Sequence, residues 1–113
     1  METPTASAAL SALGNERRLQ IFRFLVQAGP DGVAAGEIAR RLHILQNTLS
    51  SSLAVLHHAG LVTSRRDGRS IIYSAAFAQL GELMDFLVED CCGGNAELCP
   101  AFAARVRAAA SGV

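Results

Sequence analysis

Apolar residues recur along this chain at two different periods, and the change from one to the other marks out its elements. Between Glu16 and Ala28, the residues Leu19, Phe22, Leu25 and Val26 fall at helical spacing. Asn15 or Gly14 can open that helix, and Gly29-Pro30-Asp31-Gly32 ends it, since Pro cannot continue a helix and Gly favours turns. A shorter helix is predicted over Ala35 to Leu42, with Ala35, Ile38, Ala39 and Leu42 on one side. After His43-Ile44-Leu45 the pattern restarts over Gln46 to Ala59, where Leu49, Leu53 and Leu56 form a narrow stripe at i, i+4 and i+7. Gly60 caps this helix, and the period then changes. Leu61 to Arg66 reads as a strand, Asp67-Gly68 as a type I′ turn with φ > 0 at both positions, and Arg69 to Ser74 as the return strand. From Ala76 to about Cys92 a last helix carries Phe77, Leu80, Leu83, Met84, Phe86, Leu87 and Val88. That apolar stripe is wider than one core needs and predicts a second buried surface, a dimer contact.

Composition agrees with a packed helical domain. Half of the 113 residues are hydrophobic, 18% are charged and none is Trp, so Leu, Ile, Val, Ala and a few Phe must build the core. No apolar run approaches the ~18 residues of a membrane-spanning helix. The segment Met1 to Leu13 is apolar and small but lacks a basic leader, and it reads as a helical arm rather than a signal peptide. These features predict a cytoplasmic protein. With no internal repeat and no linker, residues 1–113 read as a single domain with an N-terminal helical arm and a Cys-containing tail.

A net charge of zero conceals an asymmetric molecule. From Arg40 to Ile72 there are five arginines (Arg40, Arg41, Arg65, Arg66, Arg69) against one acid, Asp67. From Tyr73 to Cys99 there are five acids and no base. The basic stretch coincides with the helix of small polar residues and with the hairpin. Between Gln46 and Ser64 there is no acid at all, and Asn47, Ser50, Ser51, Ala54, His57 and His58 occupy the face away from the leucine stripe. Small hydrogen-bonding groups without negative charge suit close approach to a polyanion. A short helix, a turn, a second helix and a basic hairpin together make a winged helix-turn-helix, mainly α with a β-hairpin wing. Its second helix fits a major groove about 12 Å wide. Gln46 and Asn47 can pair with adenine, Thr48, Ser50 and Ser51 can bond to bases or phosphates, and Arg65, Arg66 and Arg69 can track phosphates or enter a minor groove. The expected partner is double-stranded operator DNA. The plainer reading of these arginines is ordinary surface charge, and His57 and His58 divide between phosphate contact and simple solvent exposure.

The segments Leu13-Gly14-Asn15-Glu16-Arg17-Arg18-Leu19, Gly36-Glu37-Ile38-Ala39, Leu53-Ala54-Val55-Leu56-His57-His58-Ala59-Gly60-Leu61-Val62 and Arg65-Arg66-Asp67-Gly68-Arg69 closely resemble the ArsR/SmtB family of metalloregulatory repressors. The resemblance runs from about Leu10 to Val88. It implies a homodimer that blocks a promoter until an inducer releases it. Where many members carry Ser-x-His-Leu in the recognition helix, this chain has Ser51-Ser52-Leu53, so no operator sequence carries over.

Three cysteines lie near the C-terminus as Cys91-Cys92-x6-Cys99. An odd number of clustered thiols is poor material for a disulfide framework and better material for a soft ion or a redox switch. Successive helical residues point ~100° apart, but Gly93-Gly94 lets the chain turn back so that Cys99, of the same protomer or its partner, can approach the first pair. Three thiolates without a neighbouring His favour thiophilic ions over Mg, Ca or Mn, and zinc would want a fourth ligand. Trivalent arsenic or antimony takes three sulfurs in a pyramid, and exchanging the hydroxyls of arsenous acid for thiolates gives a neutral complex. That suits a site beside Glu89, Asp90 and Glu97. The family's Cys-x-Cys of the helix before the recognition helix is absent from Gly36-Glu37-Ile38-Ala39-Arg40-Arg41. Members with a C-terminal Cys-Cys-Gly-Gly…Cys arsenite site imply Cys91, Cys92 and Cys99 as ligands, with As(III) or Sb(III) as inducer. Cadmium or mercury, thiol oxidation through Cys92 and Cys99, and incidental thiols stay open. Alternatives of another class are a small thiol enzyme and a metallochaperone. The enzyme would want its thiol beside a helix N-terminus or a base, whereas these sit amid acids; no catalytic residue is expected.

Overall fold

The computed structural model describes residues 1–89. Five helices and three short strands follow one another: α1 (Thr3–Leu13), α2 (Glu16–Ala28), β1 (Val33–Ala34), α3 (Ala35–Leu42), α4 (Gln46–His58), β2 (Val62–Asp67), β3 (Ser70–Ala75) and α5 (Phe77–Val88). The strands form one antiparallel sheet in the order β1-β3-β2. The arm predicted at the N-terminus is α1, and α2 and α3 have the bounds that the apolar periodicity predicts.

Local chemistry explains where these helices begin and end. The Asn15 side chain accepts a hydrogen bond from the Arg18 backbone N–H at 3.1 Å, which satisfies one of the unpaired donors of α2. Arg18 also reaches backwards and donates to the Ala12 carbonyl at 2.7 Å, fastening the last turn of α1 to α2. His43 adopts the left-handed region at φ 55 and closes α3, turning the chain toward α4.

The core lies where α2, α3, α4 and the base of the hairpin meet α1. Ile21, Leu25, Ile38, Leu49, Leu53, Leu56 and Leu61 are its largest fully buried side chains. Every member of the predicted α4 stripe is among them. Leu19 departs from expectation and is exposed; Ile21, Phe22 and Leu25 form the buried face of α2 instead. Val62 and Ala75, paired across the ladder, bring the root of the hairpin into the same cluster.

Two other boundaries differ from the sequence reading. The hairpin turn is Gly68-Arg69 rather than Asp67-Gly68, because Asp67 still pairs with Ser70 in the ladder. Gly68 has φ 64 and Arg69 does not share the left-handed region, so a single Gly at the first turn position suffices, as in type II′ turns. Both strands therefore start and end one residue later than predicted. The last helix ends at Val88 rather than near Cys92, and Glu89 is extended at φ −57, ψ 130. Its last turn carries no base, and an acid at a helix C-terminus opposes the dipole, which disfavours continuation into Glu89. No helix among the described residues is long and apolar enough to cross a membrane.

Candidate nucleic-acid interface

The buried leucines of α4 fix the direction of every other side chain on it. Gln46, Asn47, Ser50, Ser51, Ala54, His57 and His58 are exposed, and Thr48 is half-buried. Several of the predicted contact residues are already engaged within the helix. Ser51 donates its hydroxyl proton to the Asn47 carbonyl at 3.0 Å, and the Asn47 side-chain oxygen accepts from the Thr48 N–H at 2.9 Å. The Asn47 amide donors and the lone pairs of Ser51 remain available to an incoming ligand. Gln46 sits against Gly36 at the start of α3, where a Cβ would come within 3.8 Å of its amide nitrogen.

Leu45, which sequence reasoning passed over as part of the turn, is the N-cap of α4 and is 76% exposed. An apolar group held out beside Gln46 and Asn47 matches the C5-methyl of thymine among major-groove features. Its signal in the sequence was a large apolar residue at a boundary position that no periodic stripe claims.

The hairpin separates its arginines by face. Side chains alternate along a strand, and directly opposed residues share a face. Val62 with Ala75, Ser64 with Tyr73 and Arg66 with Ile71 form one series, whose root is buried against the helices. Thr63 with Ser74 and Arg65 with Ile72 form the other. On that second face Thr63 and Ser74 share a hydrogen bond at 2.9 Å, and Arg65 donates to the Asp31 carbonyl at 3.1 Å. Arg65 is thus anchored to the loop before β1. Arg66 and Arg69 have no hydrogen-bond or ion-pair partner among the described residues, and Arg69 stands in the turn itself.

The remaining two arginines of the basic stretch share one carboxylate. Glu37 forms a two-pronged pair with Arg40 and lies 3.7 Å from Arg41, three and four residues along α3. The hydrogen bond from Arg40 holds the Glu37 carboxyl below the usual carboxylate range. Arg41 also lies over the Phe24 ring, 5.6 Å from its centre. Within the basic stretch, the arginines without a carboxylate partner among the described residues are those of the hairpin.

A helix-turn-helix domain model matches residues 13–65. The transcriptional activator HlyU of Vibrio cholerae is 33% identical over 97 residues, covering 84% of this chain and 87% of HlyU. The chain belongs to the ArsR-like family of helix-turn-helix transcriptional regulators. The solved structure of an ArsR-like transcriptional regulator from Rhodococcus matches at a TM-score of 0.67 with 28% identity, covering 92% of each chain. A homodimeric winged helix-turn-helix DNA-binding domain from Mycobacterium bovis matches at a TM-score of 0.62 with 32% identity, covering 77% of this chain and 81% of that one. This ArsR-like chain is a winged helix-turn-helix regulator, not an enzyme: α3 and α4 are its helix-turn-helix and the β2–β3 hairpin is its wing. Its expected thiol ligands Cys91, Cys92 and Cys99 lie outside the described residues.

Proposed function

We propose that this ArsR-like regulator is a cytoplasmic repressor that binds double-stranded operator DNA as a homodimer and leaves it when As(III), or Sb(III), is held by Cys91, Cys92 and Cys99. The observation that carries the DNA reading is the exposed, acid-free face of α4 beside a wing whose Arg66 and Arg69 are unpaired among the described residues. Leu45, Gln46 and Asn47 then meet base edges in the major groove, while Ser50 and Ser51 supply hydrogen bonds and Arg66 and Arg69 contact the backbone or the minor groove.

Pairing through α1 and α5 is supported by the apolar groups they leave exposed. Leu10 on α1 and Phe77, Met84 and Leu87 on α5 face solvent, and the two helices pack against each other. Joining two copies there would bury these groups and place two reading helices about 34–36 Å apart, one turn of DNA.

The donor chemistry supports the inducer. Three thiols without an imidazole fit a thiophilic ion that takes three sulfurs, and Cys91 follows the last residue of α5 by three positions. Filling such a site would alter the end of a dimer helix and so the spacing of the reading heads, a coupling of ~1–3 kcal/mol being typical of allosteric effectors. One observation favours a second reading, release by thiol oxidation: a similar solved structure, at 32% identity and a TM-score of 0.62, is of reduced HlyU. The test is fluorescence anisotropy of labelled DNA from the gene's own upstream region, with reduced protein and then arsenite. Release by arsenite in the native chain, and none in Cys91→Ser/Cys92→Ser, is expected. Release by oxidant alone would support the second reading, and binding that ignores arsenite would contradict the first.

A further inference from the structure

Between the outer face of α4 and the wing lies a recess of about 330 Å³. Ser50, His57 and His58 line it from the helix, Ser64 and Tyr73 from the hairpin, and Leu53 closes it toward the core. Ser64 and Tyr73 stand directly opposite each other in the ladder, so their hydroxyls approach the recess from the same face of the sheet. No carboxylate is among the lining residues. Hydroxyl and imidazole donors without an acid make a cradle for an oxyanion.

We propose that this recess seats a backbone phosphate of the DNA, with Ser64 and Tyr73 as its donors from the wing and Ser50 and His57 as its donors from the helix. The inference rests on the DNA-binding reading above and adds residues to it. In a winged helix-turn-helix, one element enters the major groove and the other tracks the neighbouring minor groove. The sugar–phosphate ridge between those grooves must then cross the gap between the two elements, and the recess is that gap. A phosphate there fixes the angle between helix and wing and carries no sequence information. Arg66, on the same face of the hairpin and next outward from Ser64, continues the track toward the wing tip, whereas Arg65 is turned to the opposite face.

The test compares Ser64→Ala and Tyr73→Phe with the native chain on upstream DNA and on an unrelated duplex, over a range of salt. Thr63→Ala, which alters the opposite face of the same strand, is the control. Each recess variant should bind both duplexes about tenfold more weakly, since hydrogen bonds to charged groups are involved. Because a neutral donor releases no counterion, the slope of log affinity against log salt should not change. The control should bind like the native chain. Circular dichroism melts of all variants separate lost contacts from lost folding. Unaltered affinity in both folded recess variants would overturn the phosphate seat while leaving DNA binding in place. A loss confined to the upstream DNA would also overturn it, since that pattern belongs to base reading. A native chain that binds neither duplex would overturn the DNA reading itself.

Discussion

The guanidinium of Arg65 donates to the main-chain carbonyl of Asp31 at 3.1 Å, across 34 positions of sequence. Its neighbour Arg66 faces the other way, on the side of the sheet that continues from the α4 recess. Two adjacent arginines of one motif therefore have different settings, the first tying the wing to the loop before β1 and the second standing on the face proposed to meet DNA.

This division makes a prediction about salt dependence. Arg66→Ala should weaken DNA binding and reduce the salt slope by roughly 1 per protomer, as expected when one phosphate contact is lost. Arg65→Ala should change that slope less and should instead lower the melting temperature, because the bond that it removes holds the wing. Anisotropy titrations at several salt concentrations and thermal melts of both variants check the pair. Equal effects of the two substitutions would refute the separation.

A second prediction concerns two glycines in the left-handed region. Gly32 has φ 77, and a Cβ there would come 2.6 Å from the Tyr73 carbonyl oxygen. Gly68 has φ 64 but faces open space. Gly32→Ala should cost about 2 kcal/mol or more, combining backbone strain with a displaced β3, whereas Gly68→Ala should cost about 1 kcal/mol from strain alone. Urea unfolding of the two variants measures the difference.

Much of this architecture was legible because its signals are local. The Asn15 cap, the Gly29 stop and the 3.6-residue spacing define α2 within a single stretch of chain. The α4 stripe was equally clear, since Leu49, Leu53 and Leu56 are all buried. What escaped depends on partners distant in sequence. Strand β1 has only two residues and exists through Val33 and Ala34 pairing with Tyr73 and Ile72. The hairpin register turned on whether Asp67 joined the ladder, which no dipeptide preference decides. Leu19 sits at helical spacing with Phe22, yet the packing of α1 and α4 selects Ile21 and leaves Leu19 exposed. The compensation of Arg40 and Arg41 was within reach, because Glu37 stands three and four positions earlier; counting charge only from Arg40 onward hid it.

The exposed apolar groups of α1 and α5 predict the association. Leu87 is 51% exposed on α5. Leu87→Glu should weaken the dimer by about tenfold or more, since burying a leucine contributes roughly 1.5–3 kcal/mol and a carboxylate would be stranded there. Sedimentation equilibrium reads the change, and DNA affinity should fall with it. A variant that stays as dimeric as the native chain would remove this surface from the account.

The Glu37–Arg40 pair gives a pH-dependent expectation. Its carboxyl is held below the usual range by Arg40, so the pair stabilises the folded chain above the unfolded carboxylate range. That contribution is lost as pH falls through the lowered folded value. The melting-temperature difference between the native chain and Glu37→Gln should thus be small and present at neutral pH, and should vanish in acid. A difference that grows in acid would have the wrong sign.

The salt dependence of duplex DNA binding by the native chain tests the central claim most directly. With Arg66 and Arg69 of two protomers on phosphates, the slope of log affinity against log salt should be steeper than about −3, at roughly 0.9 per neutralised phosphate. A flat response, or no binding at low salt, would contradict a DNA-contacting role for this α4–wing face.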